Sequence, residues 1–161
     1  MIGSVGKYIN GFRLLNPLTF GLNQLGVKSS QAVRRNYCVG YSSGYMAEIT
    51  SLQESGAKVA LGIAQHTNTS GEATSDGTVT GEYIPLLSSY RWMVPVEANA
   101  LITAAAIGTI VDLQSANTID IGDLVTLGHG FVIDDIDVSA PAVAANTYGF
   151  AIGHFAYVAA S

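Results

Sequence analysis

The sequence predicts a mainly β protein, a small barrel or sandwich with at most one short helix and an extended N-terminal arm. Three observations point there. From residue 58 onward, stretches of five to eight apolar or alternating residues recur, bounded by Gly, Asn and Pro. The gaps between them are too short for the crossover helices of a parallel sheet. Before them, the Gly- and Asn-containing start follows neither a helical nor a strand period for long.

A chain of 161 residues, 48% of them hydrophobic, can bury one core and not two ordinary ones. We divide it into an arm, 1–50, and a compact β domain, 51–161. The arm carries large apolar residues, Phe12, Leu14, Leu15, Leu18, Phe20 and Leu22. A solvated linker is poor in such residues, so this one is expected to order against a partner. A strand is expected over 45–49, a turn at 54–56 and a strand over 58–65. The small polar run 67–83 ("TNTSGEATSDGTVTGEY") reads as an exposed loop or hairpin tip with nothing to bury.

Beyond it, "TGEYIPLL" is interrupted by Pro85, which suits an edge strand or a strand end. "YRWMVPVEA" alternates Tyr90, Trp92 and Val94 against Arg91, Met93 and Pro95. The helix candidate is 96–108, "VEANALITAAAIG", although its Thr and Ile leave a strand open. "GTIVDLQSA", "GDLVTLGHG" and "TYGFAIGHFAYV" read as further strands. In "GFVIDDIDVS" the apolar phase runs through 131 and 133, then through 136 and 138. A bulge or tight turn at Asp134-Asp135 accounts for that one-residue slip and leaves the acids outward. No repeat of fixed period is visible.

Charged residues make up 12% of the chain, about half the usual share, and the net charge is −5. So few charges suit a subunit that hides surface against others. No apolar run reaches the roughly 18 residues of a membrane span, so no membrane partner is expected. The start, "MIGSVGKYINGFRLL", lacks the pattern of a secretory leader, and the single Cys38 permits neither an internal disulfide nor a cysteine zinc site. Synthesis in a reducing cytoplasm is expected. Lys7, Arg13, Lys28, Arg34 and Arg35 all precede the first acid, whereas no Lys or Arg follows Arg91. A basic arm joined to an acidic body can attach to an acidic surface or to the next copy.

No nucleophile elbow, phosphate loop, dinucleotide fingerprint or His-Glu-x-x-His is present, and no enzyme is expected. His129 with Asp134 or Asp135 would suit a divalent cation, but a turn histidine beside solvated aspartates is favoured, and no cofactor or metal is expected. The calcium-loop spacing is absent. The negative net charge argues against nucleic acid; Arg34-Arg35 beside Tyr37 suits an ion pair with an acidic partner.

The segments "GIAQ" (62–65), "YIPLLSSYRWMVPVEANA" (83–100), "IGTIVDLQSANTIDIGD" (107–123), "GFVIDDIDVS" (130–139) and "YGFAIGHF" (148–155) together resemble the decoration, or cement, proteins that coat the heads of tailed bacteriophages. The resemblance covers about 58–158 and rests on structural motifs, with no catalytic residue among them. It implies a decoration-protein-like β domain on the virion surface, assembled in the host cytoplasm. It also implies a homotrimer that bridges neighbouring copies of the major capsid protein. A small-molecule ligand is not expected. Contacts with capsid or neighbouring subunits are assigned to Phe12, Leu14, Leu15, Phe20, Lys28, Arg34 and Arg35 on the arm, and to Asp134, Asp135 and Asp137 on the body. The alternative is a carbohydrate-binding module stacking sugars on Trp92, Tyr83, Tyr90 and Tyr148.

Overall fold

The computed structural model describes residues 10–54, 59–97, 102–137 and 149–159. They form eleven strands: β1 (Arg13–Asn16), β2 (Asn23–Gly26), β3 (Cys38–Ser42), β4 (Tyr45–Glu48), β5 (Ala60–Ala64), β6 (Thr80–Pro85), β7 (Arg91–Pro95), β8 (Ile110–Ser115), β9 (Thr118–Leu124), β10 (Gly128–Asp137) and β11 (Phe150–Val158). Two antiparallel sheets result, ordered β1-β7-β11-β10-β8-β9 and β2-β6-β5-β3-β4. The mainly β expectation holds, in its sandwich form: neither sheet closes through a continuous ladder among the described residues. Residues 98–101 of the helix candidate lie outside the described residues; the described part holds one 3-10 turn, Ala104–Ala106. "GDLVTLGHG" is not a strand of its own; it holds the end of β9, the turn Val125–Leu127 and the start of β10.

The two sheets repeat one topology. Replacing β2, β3, β4, β5 and β6 by β7, β8, β9, β10 and β11 converts the order 2-6-5-3-4 into 7-11-10-8-9. The ladders agree residue by residue. Cys38 pairs with Ile63 and Ile63 with Ile84 in one sheet, as Val111 pairs with Phe131 and Phe131 with Phe155 in the other. Both tight hairpins turn between paired residues three apart, Ser42 with Tyr45 and Ser115 with Thr118. Each sheet also curls until a parallel bridge joins its first strand's continuation to its third strand, Val27 to Met46 and Val96 to Ile119. The duplication escapes a search for a fixed period because equivalent strands are separated by unequal loops and share few side chains.

Equivalent residues of the two sheets contribute to one shared core. Cys38, Ile63 and Ile84 from one sheet meet Val111, Phe131 and Phe155 from the other in the main core. The opposite face of the second sheet is buried as well, with Val39, Ala64 and Tyr83 packing on Val27, Val33, Met46 and Ala73. The 67–83 run is therefore more than an exposed loop. Ala73 is fully buried, and buried Asn68 donates to the carbonyls of Gln31 and Thr69 while its own backbone pairs with Val33. Its polar residues gave no apolar signal, because hydrogen bonds rather than side-chain burial hold it down.

The extended arm is the main correction. Residues 10–50 supply β1, an edge strand of the first sheet, and three of the five strands of the second, so a boundary at 50 cuts that sheet between β4 and β5. Phe12, assigned to capsid contact, is fully buried, with its ring 5.3–6.5 Å from those of Phe155, Phe131 and Trp92. Strands of four or five residues are too short to show a period, and the pairing partners of β1 and β2 lie 54 to 80 residues away.

Cys38 is enclosed in the main core. Burial, with the charge of Asp112 second, pushes its thiol far above the usual range. A thiol reagent such as DTNB should leave the native chain unmodified and label one thiol only after unfolding; rapid labelling of folded protein would contradict the packing.

Candidate interaction surface

β1 is an edge strand of one sheet and β2 an edge strand of the other, so the link between them, 17–22, passes from one sheet's edge to the other's with no further strand over it among the described residues. Its apolar side chains have nowhere to go. Leu18 is 94% exposed, and Leu15, Phe20 and Leu22 are exposed too. Scattered apolar residues on a surface need no explanation, but four within eight positions form a patch of the kind that marks interaction sites.

Beside this run opens a cleft of about 440 Å3, lined by Arg13, Leu14, Phe20, Arg35, Asn36, Gln65 and Ile84. Neither Arg13 nor Arg35 makes an ion pair among the described residues. The other basic residues there are engaged. Lys28 meets Asp76 at 3.0 Å; Arg34 meets Glu48 at 2.6 Å and lies 4.3 Å from the centre of the Tyr37 ring. The hydrogen bond to Glu48 raises the Arg34 pKa further, and that from Ser29 N, with Lys28 second, lowers that of Asp76. The cleft thus offers an apolar floor with two unpaired guanidinium groups at its rim. Such a site suits a segment carrying both a hydrophobic side chain and a carboxylate.

Of the ten residues assigned to contacts, the structure brings together Leu14, Leu15, Phe20 and Arg35 at this seam. It removes Phe12 into the core and occupies Lys28 and Arg34 within the chain. The acids lie elsewhere. The expected bulge is present, since β10 pairs Ile133 with Gly153 and Asp135 with Ile152, leaving Asp134 over. Asp134 accepts from His154 Nδ1 at 2.7 Å and stands 3.5 Å from Arg91. Asp135 accepts from the next backbone N–H, Ile136, and Asp137 is partnered as well. An acid already flanked by Arg91 and His154 has less need of a neighbour's arginine, so the Asp134 pairing with another copy loses its motive.

His129 does not join those acids. It packs edge-on against Tyr157 at 5.3 Å, and burial lowers its pKa. No three His, Cys, Asp or Glu residues are grouped for a metal among the described residues. The proposed sugar platform is also unavailable, because Trp92 is fully buried and Tyr83 and Tyr90 nearly so. Tyr148 lies outside the described residues. Sequence reading missed a second acidic group, Glu97, Asp120 and Asp123. Gln114, with its amide nitrogen turned to the acids, donates to Glu97 and Asp120 at 3.1 Å each. Burial, then a hydrogen bond with Asp120 and that residue's charge, raises the pKa of Glu97; burial, then the charges of Asp112 and Asp120, raises that of Asp123. The two acids three positions apart in "TIDIGD" were the available signal.

Fold and surface together define a duplicated two-sheet β sandwich whose distinguishing feature is an apolar, arginine-rimmed seam. No protein-family model matches the chain, and neither a curated protein nor a solved structure is significantly similar to it.

Proposed function

We propose that the chain is a capsid decoration, or cement, protein that binds an assembled virion shell, bridges neighbouring major capsid subunits and acts as a homotrimer. The observation that carries this reading is the exposed apolar run Leu15, Leu18, Phe20 and Leu22 on a chain with few charges. Fully burying one such side chain contributes about 1.5–3 kcal/mol, so the run supplies a contact that is weak alone and cumulative over a particle. Binding that favours the closed shell stabilises it by mass action.

Purified particles from cells expressing the chain should contain it in a simple ratio to the major capsid protein, measured by quantitative mass spectrometry. Its absence from them would sink the proposal. The Leu18→Lys, Phe20→Lys double variant should lose at least about tenfold in particle association, since each exchange removes apolar contact and inserts a charge. Its melting temperature should stay that of the parent, because both side chains are exposed.

A further inference from the structure

The duplicated topology exposes one difference between the halves. In the first sheet the outer edge of β7 is fully used: β1 pairs with Arg91, Trp92 and Met93, and further along Val96 bridges β9. The ladders of β2 with β6 and β7 with β11 make Asn23, Gln24 and Leu25 the equivalents of those three residues. Further along, Val27 bridges β4, as Val96 bridges β9. Beside Asn23–Leu25, however, no strand lies among the described residues.

The backbone direction there is fixed by the neighbouring strand. The carbonyl of Glu82 accepts from Gln65 N and its N–H donates to His66 Nδ1, both on the side of β5. Hydrogen bonds alternate along an antiparallel ladder, so Tyr83 and Gly81 face β2, and their partners Asn23 and Leu25 face back. Gln24 therefore points its N–H and C=O outward. The strand "NQLG" has neither charge nor proline, the usual protections of an exposed edge. Continuing the ladder by one residue sets Leu22 opposite Ile84, which lines the arginine-rimmed cleft, so this edge runs directly out of the apolar seam.

We infer that the β2 edge is a strand-acceptor site, filled by an extended segment of a neighbouring shell subunit that holds the place β1 holds beside β7. The occupant carries an apolar side chain that covers Leu22 and Phe20 and a carboxylate that meets Arg13 or Arg35. Main-chain pairing supplies affinity, and the cleft supplies selectivity. The inference rests on the shell-binding reading for the identity of the occupant, but the edge can be tested alone.

The probe is a synthetic peptide copying residues 10–18, the chain's own edge-filling strand, with Pro17→Glu, the position that the β1 register sets opposite Leu22 at the cleft. Added to the full chain, it should shift backbone amide NMR signals at 22–26 and at the cleft. Gln24→Pro removes an N–H that no ladder among the described residues uses, so this variant should keep its melting temperature and weaken peptide binding at least about tenfold. No binding, or shifts confined to other edges, overturns the inference, as does undiminished binding by the variant. On particles, a Gln24→Pro chain that associates as well as its parent overturns strand addition and leaves the shell reading intact. A parent chain absent from particles overturns the shell reading and the shell occupant together. If the purified chain doubles in mass through this edge, and Gln24→Pro abolishes the doubling, the occupant is a second copy and the shell assignment is overturned.

Discussion

Replacing Phe12 with alanine should destabilise the chain by about 3–5 kcal/mol, read as a lower urea midpoint at unchanged slope. Three rings, Trp92, Phe131 and Phe155, close around Phe12 at centroid distances of 5.3–6.5 Å, and little can move into the space it would leave. A loss of that size is a large part of the roughly 5–15 kcal/mol available to a domain. Leu14→Ala, at the rim of the same core, should cost clearly less. An unchanged midpoint for Phe12→Ala would mean that residues 10–16 dock on a partner instead of completing the core. For the same reason, deleting 1–45 should leave no folded body, since β3 and the closing bridge of the second sheet would go with it.

Asp112→Ala should be comparably damaging, by about 3–5 kcal/mol, because it strands several buried donors at once. The carboxylate is almost fully buried and accepts from Leu52 N at 2.5 Å, Ser51 Oγ at 2.6 Å, Leu113 N at 2.7 Å and Gln53 Nε2 at 3.2 Å. It pins 51–53, the segment leaving the second sheet, to the first. Asp112→Asn keeps one acceptor oxygen and should lose less, so the order of thermal midpoints should be parent, Asn, Ala. Equal midpoints for all three would show that the network contributes nothing net. The duplication sharpens the point. The equivalent position in the other half is Val39, which faces an apolar layer, whereas Asp112 faces polar backbone and hydroxyl donors. One topological place takes opposite chemistry according to what covers it.

Several elements were legible because their signal is local. Trp92 and Val94 alternate against Arg91 and Met93, and the structure buries the first pair and leaves the second half-exposed. The phase slip at Asp134-Asp135 foretold the bulge, since one extra residue is the simplest way to keep both Phe131 and Ile133 and the following strand on the proper faces. Gly and Pro marked the strand ends around Pro85. Other features carry no local mark. Whether Arg34 is spent on Glu48 while Arg35 stays unpaired depends on how the chain turns at 35–37, not on the two adjacent arginines themselves. Leu18 and Phe12 are both large apolar residues of one short stretch; one is bare and the other fully buried.

The sequence by itself determined the mainly β class, the bulged acidic strand, the absence of familiar catalytic motifs and the apolar character of the first 22 residues. These follow from the two-residue strand period, turn chemistry and composition, which act over a few neighbours. Only the tertiary structure decided that 10–50 belongs to the sandwich, that the two sheets repeat one topology, and that β1 completes one edge while its counterpart has no strand beside it among the described residues. Those are matters of which distant strands pair, and pairing is selected by the burial of whole sheet faces against each other, a sum that no short stretch of residues contains.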